Sequence, residues 1–347
     1  MKNSASTVQI RAASLTHFPE VAAQCGLDAR VLLNEVGLPA RCLREPDLKV
    51  PARAVVRLLE LAAVRGDEPA FGLRMAESRR LSNLGPLGLI VRDEPTLRSA
   101  LEALVSLIHV HNEALVVRVE QVGNLVVIRE ELLSEGADSV RQATELVVAV
   151  TFRVLSVFMG ADWRPRLVCF SHSTPRDQTV LRRVLGDKVE FGHEFNGIVC
   201  NEASLDVPNP TADPVMARYA RRLLEEEPRS NARLSNQVRQ LALLLLPLGQ
   251  CSVEAVAQHL GIDRRTVARR LAAEGTTFSG LVDGLRHDLV ARYVKDGGRP
   301  LADVSAMLGF SAASAFSRWH RQRFGMAARN RAAAEPTTRS HGLDRRR

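Results

Sequence analysis

Two stretches in the last third of the chain, Val256-Ala-Gln-His-Leu-Gly-Ile262 and Val304-Ser-Ala-Met-Leu-Gly-Phe310, share one internal spacing. In each, apolar and small residues at helical spacing run into a glycine, and an arginine-bearing helical stretch follows. A short apolar-cored helix, a glycine turn and a second helix form the smallest unit that sets a helix into the DNA major groove. One Ala-x-x-x-Gly at a helix end is common. Two in register, with turn glycines 48 residues apart (309 − 261), are hard to reach by chance. The repeat restricts the C-terminal third to small helical units in tandem and points to DNA.

The charge distribution points the same way. From Asn231 onward the chain holds 19 Lys+Arg against 9 Asp+Glu, whereas the rest holds 28 against 30. The whole basic excess of the 347-residue chain therefore lies in one third, the electrostatic footprint of a polyanion partner. The plainer alternative is a solvated basic face with an Arg-rich tail. Aromatic residues make up only 4%, so the core must be mostly aliphatic. A chain of this length predicts two domains.

Cys25, Cys42, Cys169, Cys200 and Cys251 are odd in number, scattered and never spaced Cys-x-x-Cys. That argues against a disulfide framework or a cysteine zinc site and fits a reducing compartment. Residues 1–10 lack the apolar core of a signal peptide. The longest apolar run, Leu241 to Leu248 interrupted at Pro247, is far short of the roughly 20 residues a bilayer needs. The expectation is a soluble cytoplasmic protein.

Up to about residue 230 helical and strand patterns mix. Arg53–Ala63 and Thr96–Ile108 read as helices, the second with Leu97, Leu101, Leu104, Val105 and Ile108 on one face. Leu115–Glu120 and Leu125–Glu130 flank the turn-like Gln121-Val-Gly-Asn124 and predict a β-hairpin. Val140–Met159 predicts a long apolar helix, Arg166–Ser171 a buried strand, and short strands follow near Val189 and Ile198-Val199. This is an α+β pattern large enough for its own core and a ligand cavity. After a charged helix from Tyr219 to Glu227, Pro228-Arg-Ser-Asn231 marks a boundary, beyond which the pattern is all helical. Gln237–Leu246 opens it, and Phe278–Lys295, with Leu281, Leu285, Leu289 and Tyr293 on one stripe, bridges the two motifs. Gly284 inside that helix costs about 1 kcal/mol relative to Ala. The predicted domains are residues 1–230, residues 231–330 and a disordered Arg-rich tail, residues 331–347.

In the first motif Ala257 must be small where the helices cross, Gly261 permits the turn, and Ile262, Val267 and Leu271 back the second helix. Arg264, Arg265, Thr266, Ala268 and Arg269 are left for DNA, where the arginine fork matches guanine O6 and N7 or a phosphate. In the second motif Ser305 lies at the crossing, Gly309 at the turn, and Phe310 and Phe316 are anchors. Ser311, Ala313, Ser314, Ser317 and Arg318 form the candidate groove face, with Arg321 and Arg323 placed for phosphates. The alternative throughout is an ordinary surface helix with arginines in water.

Two such units bridged by one long helix, with Leu308 to Arg318 reading Leu-Gly-Phe-Ser-Ala-Ala-Ser-Ala-Phe-Ser-Arg and then Phe324-Gly-Met326, resemble the DNA-binding domain of the AraC/XylS family over about residues 235–328. The resemblance implies two recognition helices in successive major grooves, with base-reading arginines at Arg269 and Arg318 and a further candidate at Arg265. Two positions depart from the family pattern. His320 stands where the family usually has Phe, and Ala327-Ala328 where it has Ser-Pro opening a final helix. Leu84-Gly-Pro-Leu-Gly-Leu89, Asp162-Trp-Arg-Pro165, Val189-Glu-Phe-Gly192 and Pro210-Thr-Ala-Asp-Pro214 are similar to the arabinose-binding-like regulatory domain of one AraC-type subgroup, over about Phe18 to Glu226. That implies an effector-sensing and dimerising domain, transcriptional activation, and contact with RNA polymerase.

His109 and His111 would place two imidazoles on one side of a strand; the plainer reading is polar residues at a helix end before the hairpin. With His172 they are the candidate ligand-binding residues. No acidic or Cys partner stands at ligand spacing, so no metal is expected. Ser171-His-Ser-Thr174 sets hydroxyls beside a His, but sequence neighbours do not make a triad. No nucleophile elbow, phosphate loop or dinucleotide fingerprint occurs, so neither enzyme activity nor a cofactor is expected. The expected protein is a transcriptional regulator, an α+β effector domain followed by an all-α domain with two helix-turn-helix motifs joined by a long helix. Its expected partners are double-stranded DNA, RNA polymerase, a small cytoplasmic effector and a second copy of the chain, with no membrane. The alternatives are an effector-independent DNA-binding protein whose N-terminal domain only dimerises, and an enzyme fused to a DNA-binding module.

Overall fold

The computed structural model describes residues 8–133, 139–160, 162–226, 234–247, 249–260, 262–295 and 300–325. Two compact units, Met1–Gln240 and Leu241–Arg347, make up the chain. Tail residues 331–347, Gly261 and Ala327-Ala328 lie outside the described residues.

The first unit runs β1 (Gln9–Arg11), α1 (Phe18–Gln24), α2 (Ala29–Glu35), β2 (Lys49–Pro51), α3 (Ala52–Arg65), α4 (Phe71–Glu77), α5 (Pro86–Arg92), α6 (Leu97–His111), β3 (Leu115–Val122), β4 (Leu125–Leu132), α7 (Arg141–Met159), β5 (Leu167–Phe170), α8 (Thr179–Leu185), β6 (Val189–Phe191), β7 (Asn196–Asn201), α9 (Pro214–Glu226) and the first turns of α10 (Leu234–Leu245). Strands β1 and β2 pair antiparallel. The main sheet has the order β3-β4-β7-β5-β6 and is antiparallel except for β5 against β6, where α8 supplies the crossover that a parallel pair needs.

Local chemistry explains the elements. Thr96 caps α6 reciprocally: its hydroxyl accepts from Ser99 N at 3.2 Å while Ser99 Oγ accepts from Thr96 N at 3.2 Å. The predicted hairpin is present but tighter than the four-residue turn expected. Gln121 and Val122 continue the strand, and only Gly123-Asn124 turn, with Gly123 at φ +62°. The charged helix before the boundary is longer than expected, starting at Pro214, where Asp213 accepts from Val215 N and Met216 N. The two units divide inside α10, whose first turns are tied to the first unit: Asn236 Nδ2 donates to Glu113 Oε2 (3.1 Å) and Gln240 Nε2 to Glu113 O (2.9 Å).

The core is aliphatic, as the scarcity of aromatics requires; Phe18, Phe71 and Phe170 are the large rings fully buried in it. Helix α7 is its spine, packing on α3, α4, β4 and β7. Among the described residues α7 is the one helix long and apolar enough to cross a membrane by length and composition; most of it is buried inside the unit. Its buried Gln142 knits three segments together. The backbone N–H of Gln142 donates to Glu60 Oε1 (2.8 Å), its side-chain amide donates to Pro69 O (3.0 Å), and its Oε1 accepts from Gly72 N (2.8 Å).

Helix α4 crosses α7 so closely at Gly72 that a Cβ there would lie 2.1 Å from Gln142 O. Gly72→Ala should therefore destabilise the chain by about 1–3 kcal/mol through overpacking. A urea unfolding midpoint equal to that of the unsubstituted chain would show that α4 can move away.

Candidate functional site

The second unit contains two short helix pairs: α11 (Val253–His259) with α12 (Arg264–Ala273), and α14 (Leu301–Met307) with α15 (Ala313–Phe324). Helix α13 (Phe278–Lys295) connects them in sequence. Each start has its own cause. Ser252 Oγ accepts from Ala255 N (3.1 Å) at α11, and Asp263 Oδ1 accepts from Thr266 N (2.8 Å) at α12. Pro300 precedes α14, and α15 ends at Gly325 with φ +71°. Helix α13 runs unbroken through Gly284 and buries Leu281, Leu285 and Leu289; the side chain of Tyr293 lies outside the described residues.

In the first pair Val256, Ala257, Val267 and Leu271 are buried and Ile262 is half-buried, which turns the other face of α12 outward. Arg264, Arg265, Ala268 and Arg269 are exposed there. Two of the candidates are partly engaged. Arg264 Nη1 donates to Glu254 Oε1 at 2.9 Å, an exposed pair of small worth, and Thr266 Oγ1 donates to Asp263 Oδ2 at 2.7 Å as part of the helix cap.

In the second pair Val304, Ser305, Leu308 and Phe316 are buried. Ser311, Ala313, Ser314, Ser317, Arg318, Arg321 and Arg323 are exposed. Ser314, Ser317, Arg318 and Arg321 stand at i, i+3, i+4 and i+7, one stripe of α15. Ser317 Oγ donates back to Ala313 O (2.9 Å), and Arg323 leans 3.8 Å from Asp283 of α13. The side chains of Arg265, Arg269, Arg318 and Arg321 make no hydrogen bond or ion pair among the described residues. These guanidiniums are solvated and poised outward.

Aromatic packing holds α15. Phe316 lies 5.6 Å from Phe310, and Phe310 5.4 Å from Trp319. His320, at the family's Phe position, is fully buried, 5.7 Å from Phe316 and 4.5 Å from Phe324. The imidazole fills the ring's place, so the departure leaves the packing of this helix intact. Sequence reasoning missed Arg286 of α13. Its Nε donates to Leu308 O (2.9 Å), its Nη2 to Gly309 O (3.3 Å), and its guanidinium stacks 4.2 Å over Phe310, fixing the turn between α14 and α15. No periodicity marks it, because its partners are backbone carbonyls.

In the first unit the three candidate histidines are not brought together. His109 and His111 end α6 and are not on a strand; two residues apart on a helix they point to nearly opposite sides. His109 is exposed and His111 buried, with burial and the charges of Arg11, Arg79 and Lys49 holding the latter's pKa down at about 3. His172 follows β5, between Phe170 (5.0 Å) and Phe191 (5.5 Å). Burial lowers its pKa to about 4. Its Nδ1 lies 3.0 Å from Ser173 O, which can only accept, so the ring proton sits on Nδ1. Nε2 faces Glu145 Oε1 at 3.3 Å. Only His111 lines the unit's apolar cavity, of about 90 Å3, which also exposes Ser14, Arg79 and Thr151. No pattern in the sequence singles out Ser14 or Arg79. Behind Thr151, Glu130 accepts its hydroxyl, and burial pushes the Glu130 carboxyl up to about 7.

The family model for the N-terminal arabinose-binding domain of AraC transcription regulators matches residues 26–209, and a helix-turn-helix domain model matches residues 256–331. The chain is 34% identical over 324 residues to the HTH-type transcriptional regulator VirS of Mycobacterium tuberculosis, covering 92% of this chain and 95% of that one. It is 24% identical over 307 residues to the ornithine utilization regulator of Pseudomonas aeruginosa, covering 87% and 90%. The solved structure of the transcriptional regulator CdpR from Pseudomonas aeruginosa covers 90% of this chain and 98% of its own, with 21% identity and a TM-score of 0.43.

Two consequences can be measured. Gly309 has φ +68°, and a Cβ there would lie 2.6 Å from Leu246 O. Gly309→Ala should cost about 1–3 kcal/mol, read from urea unfolding of the full chain. The second concerns Glu130, whose folded pKa of about 7 lies above the ordinary 4.5. Its contribution to stability is complete below the unfolded value and is lost as pH rises through the folded one. Glu130→Gln should therefore gain about 2–3 kcal/mol relative to the unsubstituted chain between pH 5 and pH 8. A stability difference that stays constant over that range contradicts the burial of the charge.

Proposed function

Because the chain belongs to the AraC family of helix-turn-helix transcriptional regulators, we propose that it is a one-component activator whose first domain senses a small cytoplasmic molecule and whose second reads DNA. Residues 1–230 form the sensing domain in this reading and residues 231–330 the reading domain. The observation that carries it is the pair of outward faces on α12 and α15, each with solvated arginines over a buried apolar back. Arg269 and Arg318 read base edges, with Arg265 beside the first. Arg264, Thr266, Ser311, Ser314, Ser317 and Arg321 contact neighbouring bases or phosphates. The first-domain histidines take part unequally: His111 lines the ligand site, while His109 and His172 lie off it.

The two recognition helices enter successive major-groove segments about 34 Å apart on one face of the duplex. One chain then holds a half-site alone, and a homodimer adds a second half-site. The effector shifts the populations of states that differ in DNA affinity or in contact with RNA polymerase. The relatives are regulators and not enzymes, and no catalytic step is assigned.

Purified protein mixed with fragmented genomic DNA at about physiological salt should enrich a compact set of sites. Even binding over the genome, abolished by modest salt, would reduce the basic third to an electrostatic clamp. At a recovered site, Arg269→Ala and Arg318→Ala should each cost about 1–3 kcal/mol and relax the sequence preference. Equal weakening on random DNA would make both arginines phosphate contacts instead.

A further inference from the structure

One apolar cavity of the first unit lies among α3, α6, α7, β3 and β4, with walls of aliphatic side chains such as Val55, Leu59, Leu104, Val117, Leu146 and Val150. Five polar side chains on these walls are more than nine-tenths buried: Ser14, Arg79, His111, Asn112 and Thr151. The first three have an atom with no hydrogen-bond partner among the described residues, namely Ser14 Oγ, Arg79 Nε and His111 Nδ1. A buried donor without an acceptor is costly, and native folds rarely tolerate one, let alone three on the wall of one cavity.

The two buried arginines of this region make the point sharper. Arg11 is paired with the carboxylate of Asp47. Arg79 donates from Nη1 to Ala13 O (3.0 Å) and from Nη2 to Ser14 O, but has no carboxylate partner among the described residues. Burial alone lowers its pKa, to about 10, so the guanidinium keeps its charge at neutral pH without an internal counter-ion. The buried acid Glu130 is not on the cavity wall; it sits behind Thr151, and burial pushes its carboxyl up to about 7.

We propose that this cavity is the effector site and that it takes an apolar monocarboxylate, its carboxylate bound by Arg79 Nε–H, Ser14 Oγ–H and His111 Nδ1–H and its tail in the aliphatic pocket. A volume of about 90 Å3, at roughly 10–15 Å3 per water-sized group, holds about six to nine heavy atoms, the size of a short fatty acid or a small aromatic acid. The assignment rests on the reading that the first unit senses an effector and gives that effector a chemical class.

The test uses the purified full chain, with straight-chain acids from butanoate to heptanoate and with benzoate, and with hexanol and hexylamine as neutral and cationic controls. One or more of the acids should raise the melting temperature and titrate by calorimetry, while hexanol and hexylamine do neither at the same concentrations. His111→Leu, close in volume, should bind the best acid at least fivefold more weakly. Arg79→Met should abolish binding; if that variant does not fold, His111→Leu decides. The proposal is overturned if no acid binds, if hexanol stabilises as well as hexanoate, or if His111→Leu binds like the unsubstituted chain. A chain that enriches specific DNA sites yet ignores every acid keeps the regulator and loses this site; one that binds an acid but no specific DNA does the reverse.

Discussion

Helix α7 is buried over most of its length, and inside a protein its polar groups have no water to turn to. Several find partners on neighbouring elements, and Glu145 finds one a turn away on α7 itself. Gln142 reaches Glu60, Pro69 and Gly72; Glu145 accepts from Arg141 and faces His172; Thr151 donates to Glu130 on β4. These bonds fix the helix in rotation and in register against α3, α4 and the sheet at once. The same rotation turns Leu146, Val150 and Thr151 toward the cavity. The cavity's shape is thus set by hydrogen bonds on the other sides of α7, and an apolar helix of equal length could slide without them.

The second unit solves its packing differently. Among its helices, α11 and α12 meet through Val, Ala and Leu, whereas α15 is held by rings: Phe310, Phe316, Trp319, His320 and Phe324. Four of the chain's 15 aromatic residues fall in that short stretch, which leaves the first helix pair and most of the larger unit to aliphatic packing. Ring contacts are directional. They fix how α15 is rotated about its own axis, and rotation decides which side chains reach outward.

Periodicity made much of this legible. The Leu stripe of α6, the hairpin alternation and the repeated turn spacing all report a buried face, and burial is what periodicity encodes. The polar groups resisted the same reasoning. His109 and His111, two apart, would share one side of a strand, but the plainer reading of polar residues at a helix end before the hairpin is the one the structure has, since they complete the helix that Thr96 begins. Arg79 and Arg286 are two among 43 arginines, and what distinguishes them is a set of backbone carbonyls brought close only by folding. The amide hydrogen bonds from Asn236 and Gln240 to Glu113, which hold the first turns of α10 within the first unit, are recorded by no compositional shift.

The outward faces of α12 and α15 carry arginine and no lysine, and Lys295 is the single lysine after Asn231. Guanidinium stays protonated at any pH a cell reaches and is not a target of acetyl transfer. The positive charge on these helices is therefore permanent, beyond the reach of both acidification and lysine acetylation. Whatever turns such a surface off has to displace the helices or cover them, since the charge itself offers no chemical handle.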